Sequence, residues 1–291
     1  MDQAQPLRNI IKLNQQAVQV PRARVIAVTS GKGGVGKSSV STNLAVQLSK
    51  LGKKVIIFDA DFGLANVEVM FGQVPKYTLG DVVYKGKRIT DIITQGPMDI
   101  GFISGGSGVV AMNNLNDVQR GFLLRNMAEL DTLADVILID TGAGVSASVL
   151  DFVANCQDVI LVTTADPSSL TDAYSLLKAL TIRQSGRPAS NVQVISNRVR
   201  REDEGKNVFL KLNTVSKRFL DRDLTYLGMI PQDNYLEKAI RQQKPVSMLY
   251  PDAKASVAIA KIAGELVDVQ VATHEKRGIS QLISMLLADR R

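Results

Sequence analysis

The strongest constraint on this chain is a glycine-rich stretch near its start, Gly31-Lys32-Gly33-Gly34-Val35-Gly36-Lys37-Ser38. It fits the pattern G-x-x-x-x-G-K-[ST], follows an apolar run at residues 24–29 and opens a helical segment at 38–51. Glycines allow the positive φ values that turn N–H groups toward an anion, and a helix N-terminus adds free donors. The stretch and the following Ser39 are therefore predicted to bind the phosphates of a nucleotide.

The apolar residues of the chain come in short runs. Seven such runs, rich in Val, Ile and Leu, alternate with segments of helical periodicity, a pattern typical of a parallel sheet covered on both faces. We therefore expect an α/β fold, a mostly parallel sheet with helices on both faces, in one domain over residues 23–270. The predicted strands are residues 24–29, 54–59, 99–103, 135–140, 158–163, 192–196 and 226–230. The further predicted helices are residues 116–132, 146–155, 168–184, 206–222 and 252–270.

Composition narrows the chemistry that this fold can carry. The chain has 291 residues, with one cysteine (Cys156) and one histidine (His274), which exclude an intramolecular disulfide and a histidine-based metal cluster. Thirty-five Lys and Arg against 28 Asp and Glu give a net charge of +7. That charge suits nucleic acid, an anionic membrane or an acidic partner and selects none of them. Since no long apolar run occurs and residues 1–22 lack an apolar core, we expect a cytoplasmic protein.

Side chains suited to phosphate and metal chemistry lie in the loop and at predicted strand ends. Lys37 should reach the β- and γ-phosphates, and Ser38 should bind Mg²⁺. Asp59, Asp61 and Asp140 end or follow apolar strands, and ligands of α/β proteins bind at the carboxyl ends of strands. A carboxylate that ends such a strand, as Asp140 does, is predicted to hold Mg²⁺ through water. Helix capping is the alternative role.

The motif sequences resemble those of the MinD/ParA family of ATPases. The loop reads KGGVGKS, which is similar to the family's deviant Walker A motif, and residues 59–66 match its switch I pattern D-x-D-x-G-L-x-N. The resemblance implies a face-to-face homodimer with ATP and Mg²⁺ between the subunits. It also implies that Lys32 crosses the interface to the nucleotide of the partner subunit, that Asp61 positions the attacking water, and that Asp59 supports Mg²⁺ and the switch.

Two residues are candidates for the site of the nucleotide base. Asn197 follows the predicted strand at 192–196, and Asp233 follows the one at 226–230, so both lie at the nucleotide edge. The family uses an asparagine and a later I-P-x-D segment around adenine, and the resemblance implies the same roles here. Turn formation is the alternative for both residues. The guanine-specific motif N-K-x-D is absent from the sequence, which favours ATP over GTP.

Residues 271–291 combine a charged linker with an amphipathic segment. On a helical wheel, five apolar residues fall within an arc of about 140°, with Lys and Arg flanking them. The five are Ile279, Leu282, Ile283, Leu286 and Leu287. Such a helix suits an anionic membrane surface, where two copies in a dimer would add avidity, and the family resemblance implies this role. The alternative is a helix docked on the protein's own core.

The first 22 residues contain the stretch Asp2-Gln3-Ala4-Gln5-Pro6-Leu7-Arg8. It resembles the D-Q-A-x-x-L-R element of the FlhG family (also called YlxH or FleN), MinD-type regulators of bacterial flagellar number. The resemblance implies that residues 1–22 are an activator extension for FlhF, an SRP-type GTPase, with Gln3 reaching toward FlhF's nucleotide site. The contacts would come from Asp2, Gln3, Ala4, Leu7 and Arg8. Flagellar switch-complex proteins or a flagellar transcription regulator are further partners that the resemblance allows.

These features lead to one functional hypothesis and leave three alternatives open. We expect a slow ATP-hydrolysing switch that dimerises with ATP, binds the inner face of the cytoplasmic membrane and regulates flagellar number and placement by stimulating FlhF. The alternatives are a MinD-type division-site regulator, a ParA-type DNA-partitioning ATPase, and a module that binds nucleotide without hydrolysing it. The extension before the phosphate loop disfavours the first alternative, and the amphipathic tail favours a membrane over DNA.

Overall fold

The computed structural model describes residues 22–61, 66–106, 115–268 and 278–288. Within these ranges the centre of the molecule is an eight-stranded sheet of order β3-β4-β2-β5-β1-β6-β7-β8. Neighbouring strands are parallel except β3 and β4, which are antiparallel. The strands are β1 (Arg24–Ser30), β2 (Val55–Ala60), β3 (Thr94–Gln95), β4 (Gly101–Ser104), β5 (Val136–Ala143), β6 (Asp158–Thr164), β7 (Asn191–Val199) and β8 (Thr225–Pro231).

Helices cover both faces of this sheet. Helices connect most successive strands, as the predicted alternation of apolar runs and helical segments requires of a mostly parallel sheet. The α-helices of the described ranges are α1 (Lys37–Lys50), α2 (Asn66–Phe71), α3 (Leu79–Lys85), α4 (Ile89–Ile92), α5 (Asp117–Leu133), α6 (Ala147–Asn155), α7 (Pro167–Arg183), α8 (Glu202–Leu220), α9 (Asn234–Arg241), α10 (Val246–Leu249), α11 (Lys254–Asp268) and α12 (Ile279–Ala288).

Alternate residues of β1 show how one strand serves both faces. Val25 and Ala27 pack into an apolar cluster that includes residues of α5, α6, α7, α8 and α12. Ile26 and Val28 point the other way, into a cluster that includes residues of α1 and α11. All four side chains are buried, which explains why the strand reads as a continuous apolar run rather than an alternating one.

The predicted fold class is confirmed, and all seven predicted strands are present. The two-residue β3 at the sheet edge was not predicted. Five short helices were not predicted either, because helices of four to eight residues carry little periodic signal. They are α2, α3, α4, α9 and α10. Helix α8 begins at Glu202 rather than at 206, and its first turn is acidic, as the helix dipole favours.

Candidate functional site

The predicted phosphate loop follows β1 and leads into α1. Gly36 is the N-cap of α1 with φ 95°, and Gly34 has φ 77°, values that favour glycine. A Cβ atom at Gly31 would overlap the main chain of Asp172 on α7, so the loop packs closely against that helix. No side chain caps the start of α1, which leaves its N–H groups available to an anion.

Two side chains from α1 meet a buried carboxylate on β5. Oδ1 of Asp140 accepts hydrogen bonds from Lys37 Nζ at 3.3 Å and from Ser41 Oγ at 2.9 Å. Its Oδ2 is buried without a hydrogen-bond partner among the described residues. A buried carboxylate oxygen without a donor is costly unless a cation or water reaches it. The arrangement therefore fits the predicted role of Asp140 at Mg²⁺ and of Lys37 at the phosphates.

Asp59 on β2 is buried and pairs in register with Asp140 on the neighbouring strand. Burial and, after it, the charge of Asp140 raise the pKa of Asp59 to about 7. Its two oxygens accept main-chain hydrogen bonds from Asp61 at 3.0 Å and Val67 at 3.2 Å. Asp59 therefore ties together the two ends of the predicted switch I segment. A divalent cation at this site would favour its charged form.

Asp61 lies just after β2 and is partly exposed at the same edge of the sheet. Its Oδ2 accepts a hydrogen bond from Asn66 Nδ2 at 3.1 Å. A Cβ added at Gly142, near the end of β5, would lie 3.6 Å from Asp61 Oδ1. Asp61 is therefore held between the start of α2 and the end of β5, beside the buried Asp59 and Asp140 carboxylates. Residues 62–65 of the switch I pattern lie outside the described residues.

Lys32, the second lysine of the loop, is paired within its own chain. Its Nζ lies 3.2 Å from Oδ2 of Asp166 and also contacts Oγ of Ser168. Asp166 is the N-cap of α7, where its Oδ1 accepts the main-chain N–H of Ser168 at 3.1 Å. The Lys32 and Asp166 side chains are 39% and 53% exposed. Such an exposed pair contributes little stability and can exchange for another anion.

The two residues expected at the nucleotide base hold loops together. Nδ2 of Asn197 donates to the main-chain oxygen of Val35 in the phosphate loop at 2.7 Å. Asp233 caps α9 through Tyr235 N–H at 2.8 Å, and its other oxygen accepts the N–H of Ala255 at 3.0 Å. The structure thus gives both side chains the local roles that were the alternative. Contact with adenine stays a prediction for both.

The described residues contain no group of three or more His, Cys, Asp or Glu side chains that could hold a metal ion. In nucleotide sites Mg²⁺ is bound by one or two protein oxygens together with phosphates and waters. One unpartnered oxygen of Asp140, near an anion-binding loop that carries Ser38 at the start of α1, fits a metal of this kind. It does not fit a metal bound by protein alone.

The predicted membrane segment forms α12, which packs against α5 and α6. All five residues of its apolar face are buried in the core cluster. Asp131 at the end of α5 accepts hydrogen bonds from Ile279 N–H at 2.7 Å, Ser280 N–H at 3.2 Å and Ser280 Oγ at 2.6 Å. The docked alternative is therefore the arrangement found, because it buries the apolar face and caps the helix start. Membrane contact through these residues requires α12 to leave this position.

The predicted FlhF-binding residues, Asp2 to Arg8, lie outside the described residues. None of the helices in the described ranges is both long and apolar enough to cross a bilayer.

Three residues that contact the predicted site residues were not themselves predicted from the sequence. Ser41 lies four residues after Lys37, on the same face of α1, and this spacing could have identified it. Asp166 precedes Pro167 and is recognisable as a helix cap, but its contact with Lys32 joins residues 134 positions apart. Asp131 meets α12 across 148 positions, and no local pattern marks that contact.

The fold and the site together define a class of protein. A strand, a glycine-rich loop that offers Lys37, and a helix lie in a doubly wound parallel sheet, and a buried Asp140 from the adjacent strand faces the loop. This arrangement defines a P-loop nucleoside triphosphatase.

Comparisons with known proteins agree with this class. A family profile described as "ParA: NUBPL iron-transfer P-loop NTPase" matches residues 22–267. The antiactivator FleN of Pseudomonas aeruginosa is 42% identical over 82% of this chain and 85% of FleN. The flagellum site-determining protein YlxH of Helicobacter pylori is 34% identical over 84% of this chain and 82% of YlxH. The septum site-determining protein MinD of Pyrococcus horikoshii, complexed with Mg-ADP, is 24% identical with a TM-score of 0.67, over 87% of this chain and 99% of that chain.

The chain belongs to the ParA family of P-loop NTPases. Within this family it is related to FleN and YlxH. It is an ATPase that uses ATP and Mg²⁺. The predicted MinD/ParA type, the FlhG-type resemblance and the cofactors are thereby confirmed.

Proposed function

We propose that this ATPase is a membrane-associated switch that regulates the number and placement of flagella. The proposal is carried by the nucleotide site together with two relatives, an antiactivator and a flagellum site-determining protein. At 42% and 34% identity these relatives are more similar to the chain than MinD of Bacillus subtilis is, at 30%. That difference supports a flagellar role over division-site selection.

In this proposal ATP drives the formation of a face-to-face homodimer, with Lys32 reaching the nucleotide of the partner subunit. Lys32 lies on the phosphate loop, and among the described residues its ammonium is held by the exposed carboxylate of Asp166 and by Ser168. A triphosphate carries more charge and more acceptor oxygens than one carboxylate, so it can replace Asp166. Because ATP binds the dimer better than the monomer, nucleotide binding shifts the equilibrium toward assembly.

Hydrolysis then resets the switch, with Asp61 positioning the attacking water. The hydrogen bond from Asn66 supports this role, since it fixes one oxygen of the carboxylate, and Gly142, which has no side chain, leaves room beside the other oxygen. Bound Mg²⁺ supplies charge neutralisation on the phosphates, and the protein contributes position and charge rather than a strong base. Slow turnover is consistent with such a switch.

Helix α12 is the membrane-binding element of the proposed dimer. Its apolar face of five side chains is buried against α5 and α6 in the docked position, so release must precede insertion. A single amphipathic helix of this length binds a bilayer weakly, and two copies presented by one dimer would bind cooperatively. Membrane association would therefore follow ATP-dependent dimerisation.

Residues 2–8 stimulate GTP hydrolysis by FlhF in this proposal, with the amide of Gln3 orienting a water as the glutamine of a GTPase does. The test compares FlhF turnover alone, with the full chain, and with a peptide of residues 1–22. The variant Gln3→Ala should lose the stimulation. Gln5→Ala is the matched control, since Gln5 lies at a variable position of the D-Q-A-x-x-L-R pattern, and it should keep the stimulation. No stimulation by either the peptide or the full chain would overturn the flagellar assignment and leave the ATPase intact.

A cleft between α7 and α8 supports a further protein contact. It measures about 410 Å³ and is lined mainly by apolar side chains, among them Leu170, Tyr174, Val215 and Phe219. Phe219 is 63% exposed, so its ring is available to a partner that enters the cleft. Flagellar switch-complex proteins are partners that the family resemblance allows, and this cleft is the candidate surface for an apolar segment of one of them. Phe219→Ala should weaken that binding, and Ile182→Ala, on the exposed surface of α7 but outside the cleft lining, should not.

A further inference from the structure

Ser41 is a buried serine in α1 whose hydroxyl reaches the carboxylate of Asp140. Its Oγ lies 2.9 Å from Asp140 Oδ1 and 3.2 Å from the main-chain oxygen of Lys37. Ser41 has no exposed surface. A hydroxyl has one proton to donate, and a carboxylate is a stronger acceptor than a peptide carbonyl. The hydroxyl therefore donates to Asp140, across the interface between α1 and β5.

Lys37, the other donor to this carboxylate, is also predicted to bind the phosphates of the nucleotide. Among the described residues, the side chains that donate to Asp140 are Lys37, at 3.3 Å, and Ser41. When the Lys37 ammonium turns to the phosphates of ATP, its contact with Asp140 is weakened or lost. Ser41 then remains to fix the orientation of the carboxylate. It lies on a helix of 14 residues, so its position does not depend on the nucleotide.

The two carboxylate oxygens of Asp140 differ in the hydrogen bonds that they accept. Oδ1 receives both donors, whereas Oδ2 is buried with no partner in the described part of the chain. Because a carboxylate is planar and rigid, holding Oδ1 also sets the direction of Oδ2. Asp140 lies on the central strand β5, between β1 and β2, so its main chain is fixed as well.

We propose that Ser41 is a positioning residue for the Mg²⁺ site and that it aims Oδ2 of Asp140 at the water shell of the metal. This inference rests on the proposed role of Asp140 at Mg²⁺. Replacing a residue that orients a metal-binding group typically weakens metal affinity by about 10- to 100-fold. Asp140 acts through water, so the expected loss on removing the Ser41 hydroxyl is roughly tenfold.

The test measures ADP binding to the full chain by calorimetry, first in EDTA and then over a series of Mg²⁺ concentrations. In EDTA, Ser41→Ala should bind ADP within about twofold of the unchanged protein, because the loop N–H groups and Lys37 remain. The Mg²⁺ concentration that half-saturates the metal-dependent gain in ADP affinity should rise roughly tenfold. Ser41→Thr keeps the hydroxyl and should restore the original value.

Thr42→Val is the matched control. The Thr42 hydroxyl is equally buried on α1, but its hydrogen bonds within the described part of the chain go to the main-chain oxygens of Ser38 and Ser39. An unchanged Mg²⁺ requirement in Ser41→Ala, or an equal change in Thr42→Val, would overturn the inference. Asp140→Asn distinguishes failure of the proposed Asp140 role from failure of the Ser41 inference. If it leaves the Mg²⁺ requirement unchanged, the proposed role of Asp140 fails and the Ser41 inference fails with it, whereas a change in Asp140→Asn without one in Ser41→Ala defeats the Ser41 inference alone.

Discussion

Replacing Asp131 by alanine should shift α12 from its docked position toward a free, membrane-binding one. The Asp131 carboxylate is 4% exposed and accepts three hydrogen bonds of 2.6 to 3.2 Å from Ile279 and Ser280. A helix cap is worth about 0.5–2 kcal/mol, and a hydrogen bond to a charged group about 1.5–3 kcal/mol. Water replaces part of these three hydrogen bonds when α12 is free. We therefore expect Asp131→Ala to lower the free energy of docking α12 by a net amount of about 2 kcal/mol. That loss is roughly a 30-fold change in the ratio of docked to free helix.

The assay is flotation with anionic vesicles in the absence of nucleotide. The unchanged protein should stay largely with the soluble fraction, and Asp131→Ala should float without ATP. Glu129→Ala is the control, because it removes one negative charge from an exposed position of the same helix and leaves the cap of α12 in place. A second control combines Asp131→Ala with deletion of residues 278–291, which should abolish flotation.

Two results would refute this reasoning. If Asp131→Ala floats no better than Glu129→Ala without ATP, the three hydrogen bonds do not control the position of α12. If Asp131→Ala still floats after residues 278–291 are deleted, the vesicles bind another surface, such as the apolar groove that α12 covers between α5 and α6.

Three further predictions concern single residues. Lys32→Ala should bind ATP but stay monomeric by light scattering, and an ATP-dependent dimer of unchanged affinity would remove Lys32 from the interface. The pKa of Asp59 is raised from 3.8 to about 7, so the folded protein binds this proton more tightly than the unfolded chain does. The free energy of unfolding of the nucleotide-free protein should therefore fall through this group between about pH 4 and pH 7, by at most about 4 kcal/mol. Asp59→Asn should flatten that fall in urea titrations, and an equal fall in both proteins would contradict the assignment. The Cys156 thiol is 3% exposed, and burial raises its pKa, so a thiol reagent should label it only after unfolding, and rapid labelling of the native protein would contradict this.

Local signals account for the parts of the structure that could be predicted from the sequence. The phosphate loop, its flanking strand and helix, and the apolar runs of the sheet each occupy contiguous residues, and their patterns depend on backbone geometry alone. The carboxylates toward the carboxyl ends of β2 and β5 were found for the same reason, because the carboxyl ends of parallel strands share one edge of the sheet, although β5 continues three residues beyond Asp140. What each carboxylate contacts was not predictable in this way.

Long-range contacts account for what was missed. The pairing of Ser41 with Asp140 spans 99 positions, and that of Lys32 with Asp166 spans 134. The amphipathic pattern of α12 is equally compatible with a bilayer and with the groove between α5 and α6, since both are apolar surfaces. Only the assembled fold, with Asp131 at the end of the groove, distinguishes the two.

The two lysines of the phosphate loop are both paired with carboxylates of their own chain. One pair is buried and the other is exposed, so the two lysines are suited to different roles. Lys37 and Asp140 are 7% and 0% exposed, so separating them without replacement partners would leave buried charges at a cost of several kcal/mol. In the proposed site, phosphates for Lys37 and Mg²⁺ for Asp140 would supply those partners together, so the pair suits a nucleoside triphosphate that arrives with its metal. Lys32 and Asp166 are exposed, and their pair is worth about 0–1 kcal/mol. Lys32 can therefore exchange partners at little cost, and in the proposed dimer the nucleotide bound to the other subunit would provide the negative charge that draws it across the interface.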